Sequence, residues 1–266
     1  MSKSAIRING IDMYYEDVGH GDPVLFVHGL GSSTRDWEIQ IDIFSRKFRT
    51  LAYDIRGHGK SEKPPGPYSI PLFSADASHF IRALDAAPAH VVGISMGGMI
   101  CFQLALDYPH LVRSLVVVNS GPAFLVRSLA QRLMVLQRLI IIHVLGMRAM
   151  GKFLSRRLFP EPGQEDLARV MIERWAENDR KAYRASFKAI VGWSVLDRIG
   201  EITCPTLVIA AEHDYTPVEL KQAYVSLMPT ARLEVIRDSR HLTPLDQPER
   251  FNETILSFLS SLTRST

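Results

Sequence analysis

Apolar and polar positions change their period several times along the 266 residues. Two short alternating runs, Ala5 to Ile8 and Ile11 to Asp17, flank Asn9-Gly10 and predict a β-hairpin, because Asn-Gly accepts the positive φ of a tight turn. Val24 to Val27 is apolar without interruption, as a strand buried on both faces must be. Thr50 to Tyr53, Val91 to Gly93 and Leu115 to Val118 repeat that signal, and the helical periods Leu72 to Ala87 and Met96 to Leu106 separate them. Short apolar strands joined through helices imply an α/β fold with a mainly parallel sheet covered on both sides. After Asn119 the alternation stops, and Phe124 to Leu196 reads as helices with no strand. It resumes with strand Thr206 to Ala211, helix Val218 to Met228, strand Leu233 to Ile236 and a closing amphipathic helix, Glu249 to Leu262. One α/β core, residues 1–121 and 197–266, is therefore expected to carry a helical cap, residues 122–196. An insertion above the carboxyl ends of parallel strands lies over the place where ligands bind.

Composition changes this picture little. Hydrophobic residues at 46% and charged residues at 22% exclude a mostly disordered chain and a fibrous repeat. A net charge of +3 is too small for a dedicated nucleic-acid binder, so no nucleic-acid partner is expected. Cys101 and Cys204 lack C-x-x-C spacing and support neither a disulfide framework nor a cysteine-based metal site; free thiols are expected. Met1 to Tyr15 has no apolar segment followed by a small-residue cleavage site, which predicts a cytoplasmic protein. The most apolar stretch, Leu133 to Met147, is interrupted by Arg138 and His143 and is shorter than the ~20 residues that span a bilayer.

The sharpest chemical signal is Gly93-Ile94-Ser95-Met96-Gly97-Gly98, between an apolar strand and a helix. A nucleophile elbow needs that context: the serine sits on a strained turn, and the glycines let strand and helix pack closely around it. A serine hydroxyl also needs a base, itself oriented by a carboxylate. Asp214 follows the strand ending at Ala211 and His241 follows the strand ending at Ile236, both on the rim that carries Ser95. His213 competes as base, but it adjoins the acid and cannot easily be held by Asp214 while also reaching Ser95. Asp238 and Asp246 are alternative acids, too close in sequence to the histidine loop to orient it from a separate strand. An oxyanion hole is expected from the backbone N–H of Met96, at a helix start, and from Leu30 in His28-Gly29-Leu30-Gly31. Two look-alikes fail. Gly57-His58-Gly59-Lys60-Ser61 ends like a phosphate loop but has Asp54 at its first glycine position, and Gly29-Leu30-Gly31 has Thr34 where a dinucleotide fingerprint needs glycine.

With His28-Gly29-Leu30-Gly31, Asp54 to Ser61, Gly93 to Gly98, Cys204-Pro205-Thr206 leading to Asp214, and His241, the chain resembles the α/β-hydrolase superfamily. Ser95 to Met99, and His241 followed by Asp246 to Phe251, look most like 3-oxoadipate enol-lactonases and related carboxylesterases. The resemblance implies an eight-stranded sheet, a triad of Ser95, His241 and Asp214, no cofactor and no metal, and a structural bracing role for Asp54 to Ser61. Hydrolysis of a small carboxylic ester or lactone through an acyl-enzyme is the expectation. Carbon–carbon bond hydrolases of ring-cleavage pathways share the elbow but typically carry tryptophan where Leu242 stands, and a ligand receptor on the same scaffold is the reading from another class. Arg240 departs from the small residue usual before the histidine and sets a cation beside it.

Tyr108 to Pro160 contains no acidic residue but eight cations: Arg113, Arg127, Arg132, Arg138, Arg148, Lys152, Arg156 and Arg157. The first reading is a solvated cap whose apolar face, with Leu133, Leu136 and Ile140 at helical spacing, roofs an apolar acyl pocket. The second is a basic amphipathic surface that makes peripheral contact with anionic lipid or steers an anionic substrate. Oligomeric state is not legible.

Overall fold

A computed structural model describes residues 2–263. Its single sheet has eight strands in the spatial order β1 (Ser2–Ile8), β2 (Ile11–Val18), β4 (Arg49–Tyr53), β3 (Pro23–Val27), β5 (Ala89–Ile94), β6 (Val112–Val118), β7 (Thr206–Ala211), β8 (Ala231–Ile236). The hairpin β1–β2 turns at Asn9-Gly10, with φ of 44° and 82°. It pairs antiparallel with β4, and every pairing from β4 to β8 is parallel. The sheet is thus the expected one, with strand ends shifted by a few residues; His90, for instance, lies inside β5, where its Nδ1 is 2.7 Å from Ser114 Oγ.

Period-two alternation along the buried strands assigns each residue to one face. Leu25, Val27, Val91, Leu115, Val117 and Val208 pack under α2 (Ile70–Ala83), α3 (Met96–Asp107) and α8 (Val218–Val225). Val24, Phe26, Val92, Val116, Leu207 and Ile209 pack under α1 (Glu38–Phe44) and α10 (Pro248–Thr263). Between β6 and β7 the chain forms α4 (Leu129–Ile140), a π-helical turn (Ile141–Leu145), α5 (Met147–Leu158), α6 (Glu165–Ala176) and α7 (Arg180–Ile190). These helices build their own core around Met150, Leu154, Met171, Trp175, Tyr183 and Phe187. An isolated antiparallel bridge, Ala123 to Ser194, closes the segment at its base.

One helix has no counterpart in the hydrophobic pattern, and one expectation is corrected. The hydrophobic pattern gives no sign of α1, whose residues Ile39, Ile41 and Ile43 alternate with polar ones as in a strand; it is helical because Trp37, Ile41 and Phe44, spaced four and three apart, reach the core together. Leu133, Leu136 and Ile140 do not roof a pocket. Helix α4 has no buried residue, and these three side chains are 56%, 52% and 50% exposed. The helix turns Val135, Arg138 and Leu139 toward the protein instead, and there Arg138 meets Tyr183 and Phe187 of α7.

Close packing at the β5–α3 junction rests on two glycines. A Cβ on Gly97 would lie 2.1 Å from the Val27 carbonyl oxygen, and one on Gly93 would lie 2.4 Å from that of Gly97. Gly97→Ala should therefore cost about 1–3 kcal/mol or more, as overpacking does, because backbone cannot rotate away as a side chain can. Gly10→Ala, with φ of 82° and no atom within 4 Å of its Cβ, is the comparison, and should cost about 1–2 kcal/mol from left-handed backbone alone. Urea unfolding of both variants measures the difference; a smaller loss at Gly97 than at Gly10 would mean that α3 can slide off β3.

Candidate active site

Parallel pairing sets the ends of five strands side by side: Val27 pairs Gly93, Ile94 pairs Val118, Val118 pairs Ile209, and Ala211 pairs Ile236. Five loops leave this rim. The first carries Gly29 and Leu30, the next Ser95, then Asn119 and Ser120, then Asp214, and the last His241. Ser95 has φ 54° and ψ −118°, a conformation that non-glycine residues rarely adopt. Ser95 N–H donates to Val118 O at 3.0 Å, Ser120 Oγ donates to Ser95 O at 2.7 Å, and α3 starts at the next residue. The loop after β3 passes alongside: a Cβ on Gly29 would be 3.9 Å from Ser95 Oγ.

His241 Nδ1 lies 2.6 Å from Asp214 Oδ1, and since a carboxylate only accepts, the ring donates and presents its Nε2 elsewhere. Tyr215 stacks on the imidazole, with ring centroids 4.4 Å apart. The other carboxylate oxygen of Asp214 accepts from buried Lys221 Nζ at 2.6 Å, and the same ammonium donates to Thr216 O and Oγ1 at 2.8 Å. Burial alone would raise the Asp214 pKa, but His241 and Lys221 outweigh it and hold the carboxyl well below the usual range. Asn119 holds the histidine loop: its Nδ2 donates to His241 O and Thr243 Oγ1, while its Oδ1 accepts from Ala211 N–H of β7.

Ser95, Asp214 and His241 all line one cavity of about 540 Å³, with Leu30, Asn119 and Lys221 on the sheet side and Arg138, Leu154, Leu158, Trp175, Phe187 and Ile190 on the helical side. The volume suits a small organic ligand. Neither Leu30 N–H nor Met96 N–H has a protein acceptor among the described residues. Arg138 is the cation in this lining that lacks a carboxylate partner among the described residues; it donates to Tyr183 Oη at 2.7 Å and lies 4.8 Å from the Phe187 centroid.

The rival residues lie elsewhere. His213 is exposed, 3.9 Å from Glu212, and absent from the cavity lining. Asp246 accepts from Arg240 N–H at 2.6 Å and Ser239 Oγ at 2.9 Å, so it shapes the backbone of the histidine loop. Glu212, His213 and Asp238 form an exposed cluster with donor atoms within 4.8 Å of one another, outside the cavity. Arg240 turns its guanidinium to Glu161, 2.8 Å away. Both cysteines are free. Asp54 accepts from Thr34 N–H and Lys60 N–H at 2.7 Å, which ties the loop after β3 to the loop after β4. Lys221, Asn119 and Tyr215 escaped the sequence reading; Lys221 is seven residues after Asp214 on α8, and that spacing alone does not single it out.

This sheet, its serine-bearing elbow and the helices above the rim define an α/β-hydrolase. Residues 24–254 match the alpha/beta hydrolase family, and the chain belongs to it. It is similar to the 3-oxoadipate enol-lactonase 2 of Acinetobacter baylyi, 27% identical over 264 residues and covering 95% of each chain. The (E)-2-((N-methylformamido)methylene)succinate hydrolase of the same organism is 26% identical over 267 residues, 98% of this chain and 99% of the other. Among solved structures, the enol-lactonase of Burkholderia xenovorans LB400 superposes with a TM-score of 0.89 over 97% of this chain and 100% of its own; at 24% identity this likeness concerns the fold alone.

Buried His28 braces the loop after β3, and its ring lies edge-on to that of buried His58 in the loop after β4. His28 Nδ1–H donates to Gly29 O at 2.8 Å and its Nε2 accepts from Ile55 N–H at 2.9 Å, so protonation would break the second bond. Burial lowers His28 to about 4, and burial together with neighbouring His28 lowers His58 to about 3. The unfolded chain takes up these protons near pH 6.5. Each ring therefore contributes stability that is complete above that pH and is lost as pH falls through the folded values. Asp36, Asp54 and Asp246, which burial raises, act in the opposite sense, so the direct check is NMR. The ring proton shifts of His28 and His58 should stay flat between pH 7 and pH 5, where a free histidine titrates. Titration of either ring in that interval would show that the native loop admits the proton.

Proposed function

We propose that this protein is a serine hydrolase that cleaves a carboxylic ester or lactone through an acyl-enzyme. The observation that carries the reading is the 2.6 Å pair of His241 and Asp214 facing the same cavity as a serine held on a strained elbow. In this reading Ser95 Oγ attacks the carbonyl carbon while His241 Nε2 takes its proton, and Asp214 stabilises the imidazolium. Leu30 and Met96 N–H groups hold the oxyanion, helped by the amino end of α3. The acyl C–O bond then breaks as His241 returns the proton to the leaving oxygen. Water attacks the acyl carbon, gives its proton to His241, and Ser95 is released. The lactonase name of one relative supports an acyl carbon as the reacting centre. The apolar helical side of the cavity supports a substrate with an apolar part, and Arg138 supports an anionic group on it.

Ser95→Ala should abolish turnover of p-nitrophenyl esters and simple lactones while the variant stays folded, and it should no longer be labelled by a fluorophosphonate. His241→Ala should lower kcat by several powers of ten, and His213→Ala should lower it little. Wild-type turnover in Ser95→Ala, or equal losses from the two histidines, would overturn the assignment. A single turnover that then stalls on every ester would favour the receptor reading.

Lys221→Met tests the electrostatics of the acid. With the ammonium gone, the full charge of Asp214 faces the imidazolium, so the acid limb of kcat/KM should move to higher pH. Lys221→Arg should restore much of the original profile. An unmoved limb with reduced kcat would assign Lys221 to packing alone.

A further inference from the structure

Amphipathic helices of soluble proteins turn their apolar stripe to the core, and α4 does the reverse. Leu129, Leu133, Leu136 and Ile140 are spaced four, three and four residues apart, which places them within an arc of roughly 60° at 3.6 residues per turn. Their exposures are 71%, 56%, 52% and 50%, and the stripe continues into the π-helical turn with Val144 at 67% and Leu145 at 64%. The helix is firmly specified nonetheless. Ser128 Oγ accepts from Gln131 N–H and the Gln131 side chain accepts from Ser128 N–H, a complete capping box.

We propose that the outer face of α4 and the turn after it dock on a bilayer carrying anionic lipid. Charge complementarity selects this occupant. Exposed Arg127 precedes the helix and exposed Arg132 borders the stripe, and neither has a carboxylate partner among the described residues. Arg180 adds a third exposed guanidinium beside the turn, donating to His143 O at 3.1 Å. No acidic residue occurs from Tyr108 to Pro160. A second copy seated on this face about a two-fold axis would bring Arg127 and Arg132 of both copies together with no acid from the segment between them. Anionic headgroups offset those charges, while the interfacial acyl region accepts the leucines and valine. The opposite side of the helix presents Arg138 to the cavity, so the docked face lies on the outside of the cavity's own wall.

Co-sedimentation with phosphatidylcholine vesicles, with and without phosphatidylserine, tests the proposal independently of any enzymatic activity. The intact chain should bind phosphatidylserine vesicles, and binding should weaken at least tenfold as salt shortens the screening length to about 8 Å at physiological ionic strength from about 30 Å at 0.01 M. Leu133→Gln/Leu136→Gln should lose binding at both salt levels. Arg127→Gln/Arg132→Gln should lose most of the salt dependence, and thermal melting should show both variants folded. Absence of vesicle binding by the intact chain would overturn the proposal, as would unchanged binding by the leucine variant. A concentration-dependent dimer that Leu133→Gln/Leu136→Gln abolishes, without vesicle binding, would overturn it in favour of a second copy.

Discussion

Ser95 occupies a backbone conformation that costs on the order of 1–3 kcal/mol for a non-glycine residue, and the surrounding structure must hold it there. It does so through the sheet. Its N–H extends the β5–β6 ladder to Val118 O, its carbonyl accepts from Ser120 Oγ and from Met99 N–H, and Gly93 and Gly97 let α3 close over the turn. If β5 slipped by one residue against β6, the hydrogen bonds to Val118 and Ser120 would both be lost, and every alternating side chain would face the wrong layer. The hydroxyl thus stands above the strand ends as a consequence of register, and register is set by the two hydrophobic layers that flank the sheet.

The remaining rim loops are held by polar groups where apolar packing runs out. Asn119, itself at φ 45°, takes one backbone N–H from β7 and gives its amide protons to the histidine loop, so one side chain sets the distance between two strand ends. Asp214 is held from both sides, by an imidazole and by an ammonium. A lone buried carboxylate would take a proton rather than remain charged. Lys221 and His241 keep it ionised, but the ammonium also claims part of the field that an imidazolium would feel. Keeping Asp214 ionised and concentrating its charge on His241 are opposed demands, and the buried lysine favours the first.

Strands buried on both faces could be read from sequence because they are short runs made mostly of apolar residues; Ser95 and Asp214 come just after such runs, and His241 follows the shorter apolar signal of the edge strand β8. What escaped depends on direction in space. Ile39, Ile41 and Ile43 spell a strand, yet tertiary packing of Trp37, Ile41 and Phe44 makes that segment helical. Lys221 looks like any lysine on a polar helix until α8 turns it beneath Asp214. Leu133, Leu136 and Ile140 mark an apolar stripe correctly, but a stripe does not say which way it faces: here it faces outward, and Arg138 on the opposite side of the helix meets Tyr183 and Phe187.

That orientation leaves α4 thinly packed. Helices α5, α6 and α7 share a buried core, whereas α4 meets them through the partly buried Val135, Arg138 and Leu139. Few buried contacts mean that a segment opens at low free-energy cost relative to the rest of the fold. Leu154, Leu158, Trp175 and Phe187 belong both to that buried core and to the cavity wall, whereas Arg138 reaches the cavity from a helix with no buried residue. A contact on the outer face of α4 can alter the cavity only to the extent that it favours one placement of the helix over another. Arg138 is the side chain of α4 that lines the cavity, which Tyr215, the ring stacked on His241, lines as well. The basic apolar surface and the cavity thus lie on opposite sides of one helix.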